Sequence, residues 1–135
     1  MGILAYCRLT SMDKFEAGLE VRKAVLGKEF VENAIKNADA FSMPLQELVT
    51  EYCWGAVWGR DELPRKTRSM LNLAMISILN RPHELRAHIK GALTNGVTRD
   101  EIREIFMQVA IYAGVPAGVD SFRIAREVFA ELDKA

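Results

Sequence analysis

Arg81, Glu84 and His88 stand three and four residues apart, so on a helix a cation, a carboxylate and an imidazole would project from one face. Such a set suits proton transfer. An imidazole changes charge near neutrality; a nearby carboxylate favours its charged form and burial opposes it. The same three residues also read as a surface ion pair beside a satisfied histidine, and spacing alone leaves both readings open. His83 does not add a metal ligand, because its five-residue offset from His88 is about 140° around a helix, unlike the i,i+4 chelating pair. No metal site is expected.

Three further groups carry chemical character. Trp54 and Trp58 are i,i+4 neighbours beside Glu51 and Tyr52, an arrangement that serves core or interface packing or the wall of an apolar pocket. Arg65 and Arg68 open an apolar stretch, where they would either grip an anion or remain solvated flanking charge. Cys7 and Cys53 lie far apart with no Cys-x-x-Cys between them, which disfavours a redox pair or a thiolate zinc site and suits reduced thiols. The sequence has no nucleophile elbow, glycine-rich phosphate loop or Walker pattern, so phosphoryl transfer and dinucleotide chemistry lose support.

The elements that must position these residues read as helices. Asp13 with Glu16 resembles a capping box opening a helix that ends at Gly27, and a second covers Glu29 to Ala38. Ser42 and Pro44 suit the start of a third, running to Gly59. After Pro64 the stretch from Arg65 to Leu79 is apolar around most of its axis, so it should be buried on most sides, with a partner subunit as one source of cover. Pro82 suits the first turn of the helix that carries Glu84 and His88 and stops at Asn95-Gly96. Thr98 to Glu101 is a capping box for a helix bearing Ile102, Phe106, Val109 and Tyr112, and a last helix follows Val115-Pro116. No segment alternates as a strand would. The expectation is an all-α, single-domain bundle of about six to seven helices, with residues 1–11 as a lead of unclear role and 12–135 as the domain.

With 135 residues, half of them apolar, the chain can build one substantial core. Eighteen basic residues balance eighteen acidic ones, which removes the electrostatic footprint of a nucleic-acid binder. The longest near-apolar run, Met70 to Leu79, is about half a membrane span, and the first residues lack the basic lead and length of a signal peptide. A cytoplasmic protein without nucleic-acid or membrane partners is expected.

Four blocks of this sequence, in order, carry a family resemblance: Glu51 to Arg60 (EYCWGAVWGR), Arg65 to Ser69 (RKTRS), Glu84 to Gly96 (ELRAHIKGALTNG) and Gln108 to Pro116 (QVAIYAGVP). They resemble the gamma-carboxymuconolactone decarboxylases, over roughly residues 12 to 132. The wider superfamily has the alkylhydroperoxidase-like fold, and one branch of it uses a Cys-x-x-Cys, a following histidine and an upstream glutamate. Laid on His88, that pattern puts Arg81 and Glu84 where its cysteines would be and Ser69 where its glutamate would be, which removes thiol chemistry.

The resemblance implies a small anionic substrate, an unsaturated five-membered lactone bearing a carboxylate and an acetate arm on one ring carbon. Electrons left by departing carbon dioxide would spread onto the lactone carbonyl, so neither pyridoxal, thiamine nor metal is called for. The implied roles are His88 as acid, Glu84 as its orienting group, Arg65, Arg68 and Arg81 as anion grips, and Trp54, Trp58, Glu51 and Tyr112 around the substrate. A homo-oligomer follows too, a hexamer built as three dimers. A paralogue acting on another carboxylated ring, and a non-catalytic helical binding protein, are the alternatives.

Overall fold

The structure is a computed structural model that describes residues 11–135. Of the expected lead, residues 1–10 lie outside the described residues, Cys7 among them, and Ser11 already belongs to the first helix. The described chain is all helical, with seven α-helices and one π-helical segment, and it forms two compact units that divide after Glu62.

The N-terminal unit contains α1 (Ser11–Leu26), α2 (Lys28–Lys36), α3 (Met43–Leu48) and a π-helical continuation of α3 over Val49–Val57. Because α1 starts at Ser11, Asp13 sits inside its first turn, where a carboxylate complements the helix dipole, and the expected box with Glu16 does not open the helix. Gly27, at φ 96°, separates α1 from α2. Ser42 does precede α3, but its hydroxyl is bonded to the Asp39 carboxylate rather than to the helix. That turn holds the Asp39 carboxyl below its usual range, chiefly through the Ser42 N–H and hydroxyl.

α1 packs on the π-helix around Val25, Trp54 and Trp58. The approach is close because Gly18 has no side chain. A Cβ there would run into the carbonyl oxygen of Thr50 and stand 2.9 Å from the Gly55 nitrogen. Beside this contact the buried Arg22 guanidinium donates to Gln46 Oε1 at 2.8 Å and to Thr50 Oγ1 at 3.2 Å, linking α1 to both α3 and the π-helix. A π turn takes one more residue than an α turn and lengthens the hydrogen-bond step.

The C-terminal unit is a four-helix arrangement of α4 (Arg65–Ile78), α5 (Pro82–Thr94), α6 (Arg99–Ala113) and α7 (Val115–Asp133). α4 and α7 each pack against both α5 and α6. The core they share is Leu73, Leu85, Ile89, Ala92, Val97, Ile102, Phe106, Ile124, Ala125 and Val128. Arg86 ties α5 to α7 through Glu127 and Glu131.

The junctions follow from local chemistry. At the end of α5, Gly96 at φ 92° donates to the Leu93 carbonyl and Val97 to that of Ala92, a Schellman closure with Val97 buried behind it. The end of α4 closes in the same way with Asn80 in the left-handed position at φ 54°, where asparagine is tolerated. The capping box of α6 forms as expected, with Glu101 N–H on Thr98 Oγ1 and Thr98 N–H on Glu101 Oε1, both at 3.0 Å.

The expected burial of α4 on most sides is not reached by this chain alone. Within the chain α4 buries a single side, through Ser69, Leu73 and Ser77, while Leu71, Met75 and Ile78 are about half exposed. Among the described residues no helix is long and apolar enough to cross a membrane.

The glycine contact yields a stability prediction. Gly18→Ala should destabilise the protein by about 2 kcal/mol or more, since the obstruction is backbone and cannot rotate away. A denaturant midpoint unchanged from wild type would show that α1 and the π-helix are not held at this distance.

Candidate active site

His88 lies in the middle of α5 on the stripe of Leu85, Ile89 and Ala92, and only 8 % of it is exposed. A helix-spaced apolar stripe carries it into the unit. Across from it α4 supplies Asn72, whose Nδ2 is 3.4 Å from His88 Nδ1. With the carboxamide nitrogen as donor, Nδ1 is the acceptor and the neutral ring carries its proton on Nε2.

Two opposing effects act on the ring, and the structure decides between them. Burial lowers the His88 pKa from its ordinary 6.5, and the Glu84 carboxylate one turn away raises it by a smaller amount. His88 is therefore mainly a neutral imidazole at pH 7. Glu84 itself is exposed in the first turn of α5, where it also complements the helix dipole. It acts on His88 through its charge, whereas the carboxamide on α4 holds the ring.

Arg81 does not join them. It is at once the last residue of the Schellman closure of α4 and the cap of α5, outside the helical geometry that would align it with Glu84 and His88. Its guanidinium turns back and donates to the carbonyls of Leu79 at 2.9 Å and Asn80 at 3.2 Å. A cation at the negative end of a helix is well placed electrostatically. Convergence read from i,i+3 and i,i+7 spacing fails because residue 81 is a junction.

The other two arginines remain in line. Arg65, Arg68 and Asn72 fall at spacings of three and four within α4, so they share one face, and Asn72 is the member that touches His88. Arg68, one turn from Asn72, is half-buried with its Nε inside the protein, and Arg65 is exposed at the helix start. The positive row therefore leads to the imidazole along the helix that holds it.

Tyr112 lies elsewhere. It is 85 % exposed near the end of α6 and lines an apolar cleft of about 390 Å³ with Thr67, Leu71, Ala74 and Ile78 of α4. At 100° per residue those positions are about 130° around α4 from Asn72. Within one chain Tyr112 and His88 therefore face different sides of the same helix.

Trp54, Trp58 and Glu51 belong to the N-terminal unit. Both indoles are buried and stacked, with ring centroids 4.9 Å apart and planes at 29°. Glu51 is half-buried in the first turn of the π-helix. Cys53 between them is a free thiol whose pKa burial raises, against the Arg22 charge.

Two polar partners escaped the sequence reading. Asn72 had registered only as an interruption of an apolar run, although a carboxamide amid core residues and four residues after an arginine is the signal that would have found it. Ser69, aligned with the glutamate of the thiol-using branch, is buried and accepts from Asn95 Nδ2 at 2.9 Å, which holds the end of α5 against α4.

This arrangement can hold an anion beside a buried imidazole. Residues 44–127 match the model of the carboxymuconolactone decarboxylase family. The 4-carboxymuconolactone decarboxylase of Acinetobacter baylyi is 40% identical over 119 residues, covering 88% of this chain and 89% of that protein. The nitrosuccinic acid decarboxylase of Metarhizium robertsii is 44% identical over 118 residues, covering 87% of this chain and 82% of the relative. The family match and the length of both alignments, which run through the helix of His88 and the arginine row of α4, establish that this chain belongs to the carboxymuconolactone decarboxylase family.

Proposed function

We propose that this carboxy-lyase decarboxylates 4-carboxymuconolactone to the enol-lactone of 3-oxoadipate, with His88 as the acid that protonates carbon. The observation that carries the reading is a buried imidazole held from α4, on the face where Arg68 and Arg65 bring positive charge.

The two relatives' names share a chemical core. Each names a decarboxylase of a succinate that carries an electron-accepting group on C2: a vinylogous lactone in one, a nitro group in the other. The bond from C2 to its carboxylate breaks, carbon dioxide leaves, and the electron pair moves onto the lactone carbonyl oxygen or the nitro oxygens. The electron sink thus resides in the substrate. The protein's tasks are to hold the acetate arm, to favour the delocalised anion and to deliver a proton. For the lactone the proton goes to the ring carbon next to the carbonyl, which shifts the double bond; for the nitro compound it goes to C2.

Arg68, with Arg65, is the grip on the carboxylate that stays, since a guanidinium matches a carboxylate in a bidentate fork. Glu84 tunes the charge on His88. Trp54, Trp58 and Glu51, together with Tyr112 and Arg81, remain proposed substrate contacts, and Tyr112 meets substrate only if a second chain brings it there. Half-exposed Leu71, Met75 and Ile78 on α4, with the apolar cleft beside them, support a homo-oligomer. A hexamer of three dimers in the cytoplasm is the proposed form, with no nucleic acid or membrane as partner. The second reading is nitrosuccinate decarboxylation, favoured by the 44% identity to a decarboxylase of that compound.

Purified protein incubated with each compound, with carbon dioxide release and the lactone's absorbance followed, separates the two readings. Higher kcat/KM on 4-carboxymuconolactone is the expected result, and turnover of nitrosuccinate alone would replace the first reading by the second. His88→Gln should lose on the order of a hundredfold in turnover, and near-normal activity would refute the acid role.

The pH dependence follows from burial. The acid must be protonated, so kcat/KM should fall as pH rises through a free-enzyme pKa below 6.5. A bound dianion favours the charged ring, so the corresponding limb of kcat should lie at higher pH. Glu84→Gln should move the kcat/KM limb further down, and coincident limbs in wild type and variant would contradict this. Light scattering should return the mass of six chains; a clean monomer would remove the oligomer from the proposal.

A further inference from the structure

We propose that Asn72 is a positioning residue that holds the His88 ring by Nδ1, so that the proton delivered to carbon is the one on Nε2. This rests on the reading of His88 as the acid, and it assigns a job to a residue on a different helix.

The geometry begins with a polar side chain where the pattern calls for an apolar one. Asn72 is a half-buried carboxamide between Leu71 of the cleft and Leu73 of the core, and its nitrogen stands 3.4 Å from Nδ1. A buried carboxamide without a partner would be costly. Helix spacing puts it on the Arg65 and Arg68 face, so the ring is held from the side that brings in the anion. The charged group that acts on the ring is Glu84 on α5, and Arg68 lies one turn from Asn72 along α4.

The choice of side chain fits a group that changes charge. A carboxamide has a donor end and an acceptor end. Its Nδ2 donates to bare Nδ1 in the neutral ring; turned over, its Oδ1 accepts from Nδ1–H in the imidazolium. The ring is thus held at Nδ1 in both states, which differ by the proton on that atom, and Nε2–H is presented to the substrate in each. In the step itself the imidazolium's Nε2–H bond breaks, its electron pair stays on nitrogen and the carbanion's pair forms the new C–H bond; the ring is left as the Nδ1–H tautomer on Asn72 Oδ1 until a solvent proton returns to Nε2. An aspartate at position 72 would only accept, which selects the Nδ1–H tautomer and stabilises the charged ring.

Nitrogen-15 NMR of the imidazole reads the tautomer directly. At a pH above the His88 titration the wild type should show Nε2–H, and Asn72→Asp should show Nδ1–H with the titration moved to higher pH. Asn72→Leu should lower kcat on 4-carboxymuconolactone, or on nitrosuccinate if that is the compound turned over, by about a hundredfold, with KM changed less than about threefold. A wild-type ring in the Nδ1–H form overturns the proposal, and that measurement needs no variant to fold. So does an Asn72→Leu enzyme with wild-type kcat, or one tautomer shared by wild type and Asn72→Asp. Failure of the underlying reading looks different: His88→Gln keeps its turnover. If His88→Gln is inactive while both Asn72 variants match wild type in kcat and tautomer, the acid stands and the positioning role falls.

Discussion

Taking an imidazole out of water disfavours its charge, and the C-terminal unit places His88 where that happens. The ring shares a helical stripe with Leu85, Ile89 and Ala92, so the packing that stabilises α5 is also what desolvates the histidine. Two polar groups bear on that cost. Asn72 satisfies Nδ1, Glu84 returns part of the lost affinity for a proton, and the arginines of α4 lie along the same face as the carboxamide. A dianionic ligand in such a place would oppose the desolvation that the core imposes.

α4 connects these demands because its faces do different work. Ser69, Leu73 and Ser77 enter the core; Arg65, Arg68 and Asn72 make the charged and polar edge; Thr67, Leu71, Ala74 and Ile78 border the cleft with Tyr112. The apolar character around the axis is thus explained by two separate apolar faces, of which the chain itself covers one. The buried hydroxyls are also paired, with Ser121 donating to the Ala117 carbonyl at 2.8 Å and Ser77 meeting Ser121.

The helices were legible because their ends are written in local chemistry. Gly27, Gly96 and Gly114 all take positive φ, and Thr98 with Glu101 forms its box. Two caps were misread although they involve the same three-residue spacing as Thr98 and Glu101: Ser42 is drawn into the Asp39 turn, and Asp13 lies within a helix that starts earlier. His88 could be placed at the edge of a core from periodicity, but the winner between burial and a carboxylate could not, since it depends on how completely α4 closes over the ring. Arg81 was misplaced for a related reason, because periodicity holds only inside an element and residue 81 is a junction between two. Asn72 is a tertiary contact between helices sixteen residues apart, and the π-helix has no local signature at all.

That π-helix has a bearing on how the chain tolerates insertions and deletions. Removing one residue between 49 and 57 would let the segment relax toward ordinary α geometry, so the backbone would lose little. Because the widened turns hold the extra residue, that relaxation would also leave the helix beyond the deletion near its present phase. Trp54 and Trp58, now stacked in the core of the N-terminal unit, would then still face Val25 when the lost residue precedes them. The segment is therefore forgiving of one lost residue both as a hydrogen-bond ladder and as a phase, whereas an inserted residue would have to widen it further or turn the two indoles by about 100°.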